Sequence, residues 1–136
     1  MSAKVEGFDD LLKQLDQLQD ESFIDQIAVR AVGAASPLVE RSVKDSIRAR
    51  TKSGTGLVNS FVPSEPKKNQ YGVYSVVRPV GADEKGTRYG AIAAYLEYGT
   101  SRGQEARPWR QAAVNAAEKQ VVQAMEAVIE EAINDN

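Results

Sequence analysis

"YGVYSVVRPV", residues 71–80, decides the fold class. Val73, Tyr74, Val76, Val77 and Val80 make it dense in β-branched and aromatic side chains, which suit a pleated, half-buried strand. Just upstream, "LVNSFVP", residues 57–63, reads as the start of extended structure, closed by Pro63 and Pro66. Strands are therefore expected over 57–80, paired as a small antiparallel sheet.

Outward from these strands the apolar period becomes helical. Phe8, Leu11, Leu12, Leu15 and Leu18 predict a short amphipathic helix within 1–20, its start favoured by Asp9 and Asp10. Residues 20–22, "DES", break the pattern and offer a cap. Ile24, Ile27, Ala28, Ala31, Ala35, Leu38, Val39, Val43 and Ile47 then predict a long helix over 22–48. Pro37 should kink or split it near Ser36, because proline lacks an N–H and its ring crowds the preceding turn. "ARTKSGTG", residues 49–56, ends it in a polar loop.

Beyond the strands, "GADEKGTRYG", residues 81–90, reads as a charged, glycine-bearing and mobile loop, too long for a tight hairpin. "AIAAYLEY", residues 91–98, predicts a short helix ended by Gly99 in the left-handed conformation. After a second loop, Pro108 takes the first position of a C-terminal helix over 108–133. The apolar positions of that helix are Trp109, Ala112, Ala113, Ala116, Val121, Met125, Val128 and Ala132. The expected fold is α+β: long N-terminal and C-terminal helices packed on a small antiparallel sheet. The 136 residues suit a single domain.

Composition narrows the chemistry. The chain has no cysteine and no histidine. Disulfides, thiolate metal sites, cysteine nucleophiles and the commonest general base and metal ligand are thereby removed. The N-terminal "MSAKVEGFDDLL" has no long apolar run, so no secretory leader is expected. No stretch approaches the roughly 18–20 apolar residues of a membrane helix, so no membrane partner is expected. Charge is unevenly laid out. Residues 1–25 carry two basic and seven acidic groups, and residues 111–136 one basic and five acidic. Residues 26–80 carry nine basic groups against three acidic. The plain reading is solvated faces; the sharper one is complementary surfaces on repeated copies of one chain.

"YLEYGTSRGQEARPWR", residues 95–110, holds the most chemistry. A catalytic Glu97 needs a second carboxylate across a cleft, and no spacing places Asp83, Glu84 or Glu105 there. Glu97 is instead expected to accept backbone N–H groups or to pair with Arg107 or Arg110. Tyr95, Tyr98 and Trp109 suit a core or a protein interface better than base stacking. A pI near 5.2 agrees with that choice. "GTSRG", "SGTG" and "KGTRYG" lack phosphate-loop spacing and read as turns. No cofactor is expected.

"GTGLVNSF" (residues 54–61) resembles a Thr-Gly-x-Leu-x-x-Ser-apolar motif that follows a long helix. "AAYLEYGTSR" and "ARPWRQAA" resemble an apolar-Glu-aromatic-Gly-Thr turn followed by Ala-Arg-Pro-aromatic at the head of a C-terminal helix. Together they are similar to the tail-component family of long-tailed phages typified by gene product ten of a lambda-like coliphage. The likeness covers about residues 7–130. It implies a non-enzymatic virion protein, a tail-completion or head–tail joining component, present in the host cytoplasm during assembly. It also implies a ring of identical subunits, hexameric on this likeness alone, that contacts other neck and tail proteins. DNA would thread such a ring without being specifically recognised. The motif residues Tyr95, Glu97, Tyr98, Gly99, Thr100, Arg107, Pro108, Trp109 and Arg110 become a candidate clasp and subunit contact, with Glu97 paired to Arg107. Thr55, Gly56, Leu57 and Ser60 become a candidate assembly loop. The loops at 50–56, 81–90 and 99–106 are expected to order against neighbouring subunits. The alternatives are another minor tail, adaptor or terminator role in the same particle, or a small carboxylate hydrolase.

Overall fold

The computed structural model of the protein describes residues 21–52 and 54–135, together with Asp10 and Lys13. The chain is α+β, with helices α1 (Glu21–Arg48), α2 (Thr55–Ser60), α3 (Tyr89–Tyr98) and α4 (Arg110–Asn134). Four three-residue strands lie between α2 and α3: β1 (Phe61–Pro63), β2 (Lys67–Asn69), β3 (Gly72–Tyr74) and β4 (Val77–Pro79). The short helix expected within 1–20 falls outside the described residues apart from Asp10 and Lys13, which are helical.

The chain divides into two compact units. One comprises Met1–Leu38, Glu65–Ser75 and Glu118–Asn136, the other Val39–Ser64 and Val76–Ala117. Both long helices contribute to both units, because their apolar stripes are longer than one small core can cover. In the first unit Ile27, Ile129 and Ala132 form a buried cluster with Phe23 and Ile133 beside it. In the second, Val43, Ile47, Leu57, Val58, Phe61, Ala93, Leu96, Trp109 and Ala113 form the core.

The stripe of α1 is tighter than its apolar content suggests. Ile27, Ala31, Ala35, Val43 and Ile47 are buried, spaced along one every-fourth-residue ridge. The helix is not split at Ser36, since it runs unbroken through Pro37. Pro37 and Gly33, whose carbonyl loses its donor to the proline, are both exposed, so water can take up the freed carbonyl. In α4 the buried positions are Ala113, Ala117, Val121, Val122, Ile129 and Ala132. Ala116 is exposed, and Ala112, Met125 and Val128 are half-buried. Alanine- and valine-rich turns leave the helical phase ambiguous by a residue, and the neighbours resolve it.

The expectation of strands over 57–80 needs two corrections. Residues 57–60 are helical, within α2. Leu57, Val58 and Phe61 are the buried set, at the i, i+1, i+4 spacing of a helix face. Only six residues long, α2 hides that period. Secondly, residues 71–80 are not one strand. β3 pairs antiparallel with β2, with Asn69 opposite Gly72, and β4 pairs antiparallel with β1, with Phe61 opposite Pro79. The result is two two-stranded sheets instead of one. The β-forming run is divided because its halves find different partners. Pro63 and Pro79 are tolerated because every strand of a two-stranded sheet is an edge. Among the described residues no helix is long and apolar enough to cross a membrane.

Candidate functional site

The sequence 95–110 forms a hydrogen-bonded joint within the second unit. Its centre is Glu97 on α3. One carboxylate oxygen, Oε2, accepts the backbone N–H of Trp109 at 2.7 Å and that of Arg110 at 3.1 Å. These are the first donors of α4, which have no partner inside the helix. The Trp109 carbonyl accepts the N–H of Ala113, so Trp109 is the capping position. Glu97 therefore caps α4 from another helix, and its charge faces the positive end of the helix dipole. Of the two expectations for Glu97, the structure realises the backbone N–H contacts.

Arg107 does not hold Glu97. Its backbone N–H donates to the Leu96 carbonyl at 2.7 Å and its Nη1 to the Arg50 carbonyl at 2.9 Å. Among the described residues no ion pair joins Arg107 to Glu97. The helix-start amides lie within reach of the carboxylate, and two short hydrogen bonds there are geometrically easier than stretching an exposed arginine across the loop. Pro108 precedes the cap instead of opening the helix. Its carbonyl accepts from Arg50 Nε.

The turn into the joint depends on Gly99. Its φ is +77° as expected for glycine, but ψ is −178°, so it is extended rather than left-handed helical. Its N–H still closes α3 by donating to the Tyr95 carbonyl at 2.8 Å. A Cβ there would lie 2.7 Å from the Gln104 carbonyl oxygen and 3.0 Å from the Ala106 nitrogen. Thr100 then secures the loop: its N–H donates to the Gln104 carbonyl, and its Oγ1 accepts the Gln104 N–H.

Trp109 is buried, with Nε1 donating to the Ala93 carbonyl at 3.0 Å and its ring meeting Phe61 edge-on at 5.5 Å. Through that contact the two sequence motifs, residues 54–61 and 95–110, share one core. Arg110 lies over the rings of Trp109 and Tyr98, at 5.2 and 5.8 Å, and donates to the Tyr98 hydroxyl at 3.3 Å. Tyr98 and Tyr95 remain exposed.

The residues expected to form an assembly loop are helical instead. Thr55 opens α2, Leu57 is core, and Ser60 donates back to the Leu57 carbonyl at 2.5 Å. Gly56 has a local reason: a Cβ there would lie 2.4 Å from the Tyr89 hydroxyl. Sequence reasoning missed Ser42, Ser46 and Arg50. Ser42 donates to the Ala113 carbonyl at 2.6 Å, Ser46 to the Trp109 carbonyl at 2.7 Å, and Arg50 Nη1 to the Ser46 carbonyl at 2.9 Å. The signal was there, since Ser42 and Ser46 sit one turn apart beside the buried Val43 and Ile47.

The 81–88 loop is held by hydrogen bonds of its own. Asp83 Oδ1 accepts the N–H groups of Lys85 and Thr87, and Ala82 bridges Arg88. Together with Thr51, Gly54, Gly56 and Gln104, this loop lines a cavity of about 580 Å³. Leu57, Tyr89, Ile92 and Leu96 line its apolar side, and Asp83 and Glu84 supply its charge. Among the described residues, no group of three or more carboxylates converges as a metal site.

No family model matches the chain, and no curated protein or solved structure is significantly similar to it.

Proposed function

We propose that the protein is a non-enzymatic virion structural component of a long-tailed phage, a tail-completion or head–tail joining protein that assembles as a ring. The reading rests on the ordered pair of motifs at 54–61 and 95–110. What supports it is that both motifs are used structurally, as one joint centred on Phe61, Trp109 and the Glu97 cap. Exposed Tyr95 and Tyr98 at that joint suit a subunit contact, where aromatic residues carry much of the binding energy. A head-to-tail contact whose rotation closes would give the ring.

The hydrolase alternative finds less support, because Glu97 Oε2 already holds two helix-start amides. Electron microscopy of particles made without the protein tests the assignment. Full heads beside finished, unattached tails are expected. Overlong or absent tails would move the protein to a terminator or tube role, and normal infectious particles would remove it from the virion pathway.

A further inference from the structure

The cavity of the second unit and the β2–β3 hairpin of the first unit have complementary chemistry. The hairpin turns in two residues, Gln70 and Tyr71, between Asn69 and Gly72. Asn69 Oδ1 accepts the Tyr71 N–H at 2.8 Å, and Gly72 has a φ of +129° that favours glycine. This tight turn presents Tyr71 at 88% exposure, the most exposed large apolar side chain among the described residues. A tyrosine ring carried on a two-residue turn has the shape and chemistry of an interface anchor, with an apolar body and a polar tip. Lys67 and Lys68 on β2 make the hairpin basic. Lys68 is engaged by Asp25, which leaves the exposed Lys67 as the cation on offer.

The cavity is the reverse. Among the described residues its lining holds two carboxylates, Asp83 and Glu84, and no lysine or arginine. Asp83 is committed to its own turn, whereas Glu84 is exposed. The half-buried Ile92 and Tyr89 offer apolar and aromatic surface over the buried Leu57 and Leu96. At about 580 Å³ the cavity falls within the roughly 300–1,000 Å³ of pockets that enclose drug-sized ligands, ample for a tyrosine ring with a lysine beside it.

We infer that this cavity is the socket for the β2–β3 hairpin of a second copy of the chain, with Tyr71 inserted against Leu57, Tyr89, Ile92 and Leu96 and Lys67 facing Glu84. Hairpin and socket are different surfaces, so each copy can give one and receive one, the heterologous arrangement that builds rings. The inference rests on the ring reading and names the contact that closes it.

The chain has no cysteine, so engineered thiols report cleanly. Gln70→Cys and Glu84→Cys both fall on exposed positions and should fold, and Gln70→Cys leaves the Tyr71 ring in place. The two single variants are mixed, oxidised and digested, and cross-linked peptides are identified by mass spectrometry, with Val29→Cys replacing Glu84→Cys as the control. Sedimentation measures association of the wild type and of Tyr71→Ser alongside. The expected result is a 70–84 cross-link between copies, none to position 29, and association weakened about tenfold or more by Tyr71→Ser. Multimers that form without the 70–84 link, or that ignore Tyr71→Ser, overturn the socket and leave the ring standing. Chains that stay monomeric at every concentration, with no link, overturn both.

Discussion

Glu97 is the residue on which the joint turns. Replacing it with alanine strands the Trp109 and Arg110 amides and removes a charge from the α4 N-terminus, at a cost of about 1–3 kcal/mol. Glu97→Gln keeps an acceptor and should cost less, about 1 kcal/mol, mostly the lost charge. Arg107→Ala removes an exposed contact to the Arg50 carbonyl and should cost under about 1 kcal/mol. Denaturant melting of the three variants gives the ranking, and an Arg107 effect equal to that of Glu97→Ala would refute the cap. Gly99 is the second such residue. Gly99→Ala meets both a positive φ and a backbone carbonyl 2.7 Å from the new Cβ, which points to a loss on the order of 2–4 kcal/mol. A loss below 1 kcal/mol would mean the loop moves aside freely. Backbone amides were one of two expectations for Glu97, the other being an arginine partner, and the local sequence does not choose between them. Its particular donors come from a helix whose approach depends on the loop between.

At the scale of elements, α1 carries two poor helix residues four apart, Gly33 and Pro37, and still runs unbroken from Glu21 to Arg48. Burial of its ridge outweighs their propensity cost, which is about 1 kcal/mol for an interior glycine. A Cβ at Gly33 would meet nothing within 4 Å. Gly33→Ala should therefore stabilise the protein by about 0.5–1 kcal/mol, read as a higher denaturant midpoint at unchanged slope. A destabilised variant would indicate that position 33 is covered by something in solution. The long helices were readable because their period repeats over many turns. The strands and α2 were not, because elements of three to six residues contain barely one period, and their state is set by the neighbour that pairs with them.

Across the whole molecule, charge ties the hairpin to α1 within the first unit. Lys68 Nζ lies 2.5 Å from Asp25 Oδ2, and this hydrogen bond raises the lysine pKa above its ordinary value. A raised folded pKa means the contribution is complete below the free-lysine value of about 10.4 and fades as the pH climbs through the raised one. The melting temperature of the wild type should therefore exceed that of Lys68→Met at pH 9, and the gap should close toward pH 12. High salt should narrow it as well, because the pair is exposed. A gap that persists at high pH would assign the difference to packing of the lysine stem. The sequence by itself determined the α+β class and the two long helices, because a helical period repeated over many turns is written in neighbouring residues. Only the tertiary structure decided that "YGVYSVVRPV" serves two sheets, that residues 57–60 coil into a helix, and that Glu97 caps α4 while Arg107 turns to Arg50. Each of these depends on groups distant along the chain, whose approach no local pattern encodes.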